Sequence, residues 1–185
     1  MPITDNAGDG LHGRFRDVLR DGAGEVRWDS GWLKNAIVTD FRRVLAGFIR
    51  GAPPAVTAIV GLRDGAGLAA WDSPPGPPPA TPDATALVDP SPFTVARGDL
   101  QIDFVDPVTG ATSAAPTRSL QIRASLGPNV PPWPDPATAH PTSTLREFGL
   151  VATLGGADVL LNYRTHPAIA KDPASTLERT IWLVF

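Results

Sequence analysis

Histidines and serines are the side chains of this sequence that could supply acid–base or nucleophilic chemistry, and their spacing matches no known motif. The three histidines, His12, His140 and His166, stand apart from one another, and none has the spacing of a metal-ligand pair. Each lies in or beside a predicted loop, where a histidine usually bonds to backbone or water. The sequence therefore predicts no metal site and no cofactor.

Nucleophilic catalysis has equally little support. Ser119 and Ser125 fall on a predicted strand with alternating neighbours, whereas a G-x-S-x-G turn would be needed to present a serine. The chain has no cysteine, which excludes disulfides, thiolate metal sites and a cysteine nucleophile. One hydrolytic hypothesis stays open, in which the fold brings His140 or His166 to a carboxylate and a serine. We expect a protein that is not an enzyme.

Two tryptophans beside proline-rich segments are candidates for partner contacts. Trp71 and Trp133 would most commonly be anchors that bury the loop against the core. The alternative is that they are exposed anchors of an interface, since tryptophan is frequent among the residues that dominate binding energy.

Two charged pairs give a further expectation. Arg146 and Glu147 lie on one predicted strand, and Glu178 and Arg179 lie on another that we expect to neighbour it. Opposite charges could then pair across the sheet.

Most of the elements that position these side chains are predicted to be β-strands. Alternation of apolar and polar residues predicts strands at 100–104, 120–126, 145–154, 159–164 and 177–185, with the first two paired. Asp-Gly at 21–22 predicts a first hairpin, and Gly155-Gly156 predicts a tight turn. The apolar, β-branched run at 55–62 predicts a strand buried on both faces and central to the sheet.

One amphipathic helix is expected at about 35–50. Its apolar residues recur at helical spacing, at Ile37, Phe41, Val44, Leu45 and Phe48. Gly51 supplies a C-terminal stop, and either Ser30 or Asn35 could cap the start.

The composition suits one globular domain with unusual loops. Hydrophobic residues make up 42% and charged residues 19%, close to globular averages, but there are 21 prolines and 18 glycines. Most of the prolines cluster in two segments, here named the first proline loop (residues 73–92) and the second proline loop (residues 127–143). We expect a flexible N-terminal arm at 1–13 and one domain at 14–185. Its class would be mainly β (α+β), an antiparallel β-sandwich-like domain with the helix packed on it.

Charge and hydropathy exclude several partners. A formal charge of −3 lacks the basic excess that binding to a phosphate backbone requires, so nucleic acid is not expected as a partner. No apolar run approaches the roughly 20 residues of a membrane-spanning helix, and the first residues do not resemble a signal peptide. We expect synthesis in the cytoplasm and no membrane span.

The C-terminal residues LREFGL (145–150) and DVLLNYRTHPAIAKDPASTLERTIWLVF (158–185) carry a family resemblance. They resemble a pattern in tail-associated proteins of bacteriophages and of phage-derived contractile injection systems. The matching positions are Glu147, Gly149, Leu150, Asn162, Arg164, Pro167, Lys171 and Leu177. A weaker similarity is the W-x-x-N sequence formed by Trp32 and Asn35. The resemblance implies a baseplate, collar or fibre-attachment subunit that is present in several copies and has no catalytic residue.

The resulting functional prediction is a structural subunit of a phage tail or tail-like particle. Its partners would be copies of itself and other tail or baseplate proteins, in a virion or phage-tail-like particle assembled in the bacterial cytoplasm. The candidate interface residues are Trp71, Trp133, Arg146, Glu147, Arg164 and Lys171. The alternative is a carbohydrate- or peptide-binding β-sandwich module that uses the loop tryptophans.

Overall fold

Antiparallel strands make up most of the computed structural model, which describes residues 10–51, 56–135 and 140–185. The strands are β1 (His12–Arg20), β2 (Val26–Asp29), β3 (Leu33–Ile37), β4 (Val56–Gly65), β5 (Phe93–Ala96), β6 (Gln101–Val105), β7 (Thr112–Ser113), β8 (Ser119–Leu126), β9 (Thr144–Leu154), β10 (Ala157–Leu160), β11 (Asn162–Ala170) and β12 (Thr176–Val184), and the helix is α1 (Thr39–Arg50). Residues 1–9 of the predicted arm lie outside the described residues. The end of that arm was placed too late, because His12 and Gly13 already pair with β12.

The strands form one continuous antiparallel path in the order β5-β4-β9-β11-β3-β1-β12-β8-β6-β7, with β10 beside β9 and β2 beside β1. The path folds over on itself, so that Phe15 of β1 meets Phe148 of β9 with ring centroids 5.0 Å apart. The predicted class, a mainly β, sandwich-like domain, is confirmed.

Alternation along β1 and β12 explains which side chains enter the interior. In β1, every second residue from Gly13 to Leu19 is buried. The antiparallel register places Phe15 opposite Ile181 and Asp17 opposite Arg179. One inward position of each strand therefore carries a charge.

Helix α1 begins four residues later than predicted. Asn35 and Ile37 belong to β3, where they pair with Gly13 of β1 and Asn162 of β11. The residue before the helix is Val38, and no side chain caps the helix start. Instead, the Thr39 N–H donates to the Pro82 carbonyl of the first proline loop at 2.8 Å. The predicted stop is confirmed, since Gly51 adopts the left-handed conformation with φ of 66°.

Several turns and pairings match their predictions. The hairpin at 21–24 joins β1 to β2, β6 pairs with β8, and Gly155-Gly156 connects β9 to β10. The predicted central position of the strand at 55–62 is wrong, because β4 lies between β5 and β9, one position in from the end of the path. Within the described part of the chain, no helix is long and apolar enough to cross a membrane.

Candidate functional site

Most of the predicted interface residues are buried inside the chain. Trp71 and Trp133 are each only 8% exposed. They are anchors of their loops, and the alternative of exposed binding anchors is wrong for this structure. The carbohydrate- or peptide-binding hypothesis loses the two side chains on which it depended.

Glu147 of β9 is fully buried and holds the first proline loop. Its carboxylate accepts the backbone N–H groups of Val88 at 3.0 Å and Asp89 at 2.7 Å. It also accepts the Tyr163 hydroxyl at 2.5 Å. Burial and this hydrogen bond raise the pKa of Tyr163, so the phenol stays protonated and donates.

Asp89 and His140 connect the two proline loops. The Asp89 carboxylate lies 2.8 Å from Nε2 of His140 and accepts the Ala66 N–H at 2.7 Å. The His140 ring stacks on Trp133 with centroids 3.9 Å apart. The hydrolytic hypothesis called for a histidine beside a carboxylate, and this pair meets that condition, but both side chains are buried inside the chain.

Arg146 and Arg179 do not make the cross-strand pairs that the sequence suggested. Arg146 donates Nε and Nη2 to the two carboxylate oxygens of Asp72, at 2.7 and 2.6 Å, and the interaction lowers the pKa of that carboxyl. The expected pairing with Glu178 is wrong because β11, β3 and β1 separate β9 from β12 in the sheet.

The remaining candidates of the C-terminal pattern also have internal contacts. Lys171 is buried, which lowers its pKa, and Nζ donates to the Gly127 carbonyl at 2.8 Å. Arg164 is half-buried, with its guanidinium 5.4 Å from the Phe15 ring centroid, and burial lowers its pKa.

One close approach between β9 and β11 involves three residues of the same pattern, Gly149, Leu150 and Asn162. The Asn162 side-chain oxygen accepts the Leu150 N–H at 2.7 Å. A Cβ at Gly149 would lie 2.8 Å from the Asn162 carbonyl oxygen, so only glycine fits this approach. These residues shape the sheet and form no reactive centre.

A charge cluster that the sequence analysis missed lies in the interior and consists of Asp17, Asp64, His166 and Arg179. Arg179 donates Nε and Nη2 to the Asp17 carboxylate at 2.8 and 2.7 Å, and Nη1 to Asp64. Its guanidinium also covers the Phe148 ring at 3.8 Å. The cluster joins β1 and β12 to β4, across the interior. The alternation that places Asp17 and Arg179 inward was the available signal.

Burial sets the protonation of two members of the charge cluster. It raises the pKa of Asp64 to about 6, against the opposing attraction of Arg179. It lowers the pKa of His166 to about 4, and the Arg179 charge adds to that effect. His166 had been predicted in a loop, but it belongs to β11, and its Nδ1–H donates to the Pro167 carbonyl at 2.8 Å.

Exposed apolar side chains lie on β2 and at the start of β3, the two strands that pair with the same strand β1. We name this surface the edge patch; its members Val26, Trp28, Trp32 and Leu33 are 52%, 41%, 41% and 39% exposed. Among the described strands, β2 pairs with β1 alone. Arg14 contacts one member of the patch, with its guanidinium 4.7 Å from the Trp32 ring centroid and 4.0 Å from that of the buried Trp182.

An apolar pocket of about 230 Å³, here the α1 pocket, opens between α1 and the strands. Eleven of its twelve lining residues are apolar, and the twelfth is Arg97. Phe41, Val44 and Phe48 form the helix wall, while Ala152 and Leu183 belong to the two facing layers.

No group of three or more histidine, aspartate or glutamate side chains that could hold a metal ion occurs in residues 10–51, 56–135 and 140–185. Comparison with family models, with curated proteins and with solved structures found no match to this chain.

Proposed function

We propose that the chain is a structural subunit of a phage tail or tail-like particle and acts through protein–protein contacts in a multi-copy assembly. The edge patch is the observation that carries the proposal. Exposed aromatic and aliphatic side chains on and beside a strand with one unpaired edge are typical of an interaction surface. The proposal that this assembly is a phage tail or tail-like particle rests on the resemblance of the C-terminal residues to tail-associated proteins.

A second copy of this chain is the partner that the sequence of β2 favours. Antiparallel pairing of two β2 strands, centred on Trp28, places Trp28 opposite Trp28 across a twofold axis. The same register places Arg27 of each copy opposite Asp29 of the other. In the single chain Arg27 pairs with Asp172 at an exposed position, while Asp29 accepts Nε and Nη2 of Arg16 and the Gly31 N–H, so the contact between copies competes with these internal bonds.

The buried contacts of the C-terminal pattern support the scaffold half of the proposal. Glu147 and Lys171 fix the proline loops against the sheet instead of facing a partner. A subunit that bears load in an assembly needs this kind of rigid internal connection, with partner contacts left to the exposed edge.

Sedimentation velocity over a range of concentrations tests the self-contact. We expect the unaltered chain to associate and Val26→Lys to weaken association at least tenfold, because it adds a charge within the contact, two residues from its centre at Trp28. Val108→Lys is the matched control, since Val108 is 75% exposed in the turn before β7. A chain that is monomeric at every concentration, or equal effects of the two variants, would contradict the β2 contact.

Particle membership needs a separate test. Tail-like particles purified from a bacterium that carries the gene should contain this chain in multiple copies by quantitative mass spectrometry. Its absence from such particles would overturn the tail assignment, whatever the oligomeric state of the pure protein.

A further inference from the structure

The α1 pocket has no role in the proposed assembly. It lies among α1, the end of β12 and the facing strands, whereas the edge patch lies on β2 and β3. We propose that the α1 pocket binds a linear aliphatic carboxylate of medium chain length.

The walls of the pocket select an apolar ligand. Val44 and Ala152 are buried, Leu183 is buried opposite them, and the rim residues Phe48 and Phe185 are partly exposed. A flexible alkyl chain entering past the rim would lose water contact along its whole length, which is the main source of affinity in such pockets. Apart from Arg97, the described residues that line the pocket have no polar side chain that could be a partner to a polar ligand.

The volume limits the ligand length. At roughly 30 Å³ for each water molecule of the liquid, a pocket of about 230 Å³ holds the equivalent of seven or eight waters. A methylene group takes up nearly the same space as a water molecule. The pocket therefore fits an alkyl chain of about seven or eight carbons, and a longer chain would leave its end in solvent.

Arg97 supplies the charge preference. Among the described residues that line the pocket it is the one with a charge, and none of the others is acidic. Within the described residues, its hydrogen bond from Nη1 goes to the Leu100 carbonyl at 3.2 Å. The guanidinium is exposed to solvent and presents further N–H donors in the fork geometry that matches a carboxylate. In an aliphatic carboxylate, the alkyl chain would pack against the apolar walls and the carboxylate would bind Arg97 at the rim.

Isothermal titration calorimetry of the full chain with hexanoate, octanoate and decanoate tests the proposal, with 1-octanol as the uncharged probe. Affinity should rise about fourfold for each added methylene up to octanoate and then level off. Octanoate should bind about threefold to tenfold more tightly than octanol.

Three variants assign the binding to this pocket. Arg97→Ala should remove the preference for octanoate over octanol while octanol binding is retained. Arg123→Ala, on the outer face of β8, is the matched control and should leave both unchanged. Leu45→Trp fills space at a half-buried position of α1 and should move the preferred ligand to hexanoate. A thermal melt confirms that each variant is folded.

Two results would overturn the proposal. Equal affinities for octanoate and octanol, unaffected by Arg97→Ala, would show that the pocket has no carboxylate preference. Absence of binding by any probe to folded protein would show that this is not a ligand site, and a change in oligomeric state of Leu45→Trp would then identify an interface between copies. Because Val26 and Val108 lie outside the pocket, failure of the assembly test leaves these readouts unaffected.

Discussion

The two ends of the sandwich interior differ in polarity: one contains buried charges, and the other, among the described residues, contains apolar side chains with a single arginine at the rim. At one end, Arg179 bonds to carboxylates from two layers, and at the other, α1 lines an open apolar pocket. Both ends are built from the same strands: on β12, Leu183 of the pocket lies four residues after Arg179, about 13 Å further along.

The difference shows what directional contacts add to a core. An apolar contact can slide or change partners, whereas a guanidinium that bonds to Asp17 and Asp64 holds β1, β12 and β4 in one arrangement. A buried ion pair is often no more stabilising than apolar residues of the same volume. The charge cluster therefore fixes position more than it adds free energy, and the α1 pocket, which lacks such contacts, retains adaptable space.

Removal of the central cation should have the largest effect on this contrast. Arg179→Met leaves two buried carboxylates without their partner, and we expect the free energy of unfolding to fall by about 3–5 kcal/mol. Urea denaturation measures the change. Arg123→Met, which breaks the partly exposed pair with Asp103, is the matched control and should cost less than about 1 kcal/mol. Similar losses for the two variants would remove the distinction between the ends.

Truncation of two leucines on one strand compares the packing of the two ends directly. Leu177→Ala lies at the filled end and should cost about 3–5 kcal/mol, because a closed cavity remains. Leu183→Ala lines the open pocket and should cost about 1–2 kcal/mol less, since the space it leaves joins one that already exists. Both side chains are buried, so exposure does not account for the difference. Chemical denaturation with equal m-values for both variants is the required measurement, and equal losses would refute a looser α1 end.

The pH dependence of stability gives the smallest and most specific effect. His166, with its pKa lowered to about 4 from an ordinary value of 6.5, contributes stability that is lost as pH falls from about 6.5 to 4. Asp64, with its pKa raised to about 6, has the opposite sign, since the folded state holds a proton that the unfolded state has released. The two dependences oppose each other, and we expect a nearly flat profile between pH 4 and 6.

Single substitutions should expose each dependence. In Asp64→Asn only the titration of His166 remains, so the free energy of unfolding should rise with pH by at most about 1.4 kcal/mol per pH unit. In His166→Asn only the titration of Asp64 remains, so the free energy of unfolding should fall as pH rises over the same interval. Denaturant titrations at pH 4.5 and 6 measure both slopes. Two variants with the same sign of slope would contradict opposing titrations in the charge cluster.

Local patterns were sufficient to predict the fold class, most of the strands and the end of α1. Alternation of side chains identifies a strand without knowledge of its partner, and Gly51 ends a helix by its own conformation. The start of α1 was missed because residues 35–37 form a strand instead of a helical turn. They do so by pairing with β1 and β11, and this tertiary effect has no signal in the local sequence.

The charge cluster was beyond local reasoning for a similar reason. Arg179 is 162 residues from Asp17 and 115 from Asp64 in sequence, so only the folded sheet brings them together. His166 was placed in a loop because a proline follows it. In the structure that proline falls where the β9–β11 register shifts between Thr165 and Ile169, a position that tolerates a residue without an N–H.

The hydrogen bond from the Thr39 N–H to the Pro82 carbonyl joins the uncapped start of α1 to the first proline loop. Proline-rich loops exchange no amide hydrogens at their prolines and are therefore poorly visible to hydrogen–deuterium exchange. The Thr39 amide reports on this loop in their place, because it becomes accessible to solvent deuterium when the loop lifts away. Its protection factor measures how often the loop opens, in the region where α1 joins the body of the domain.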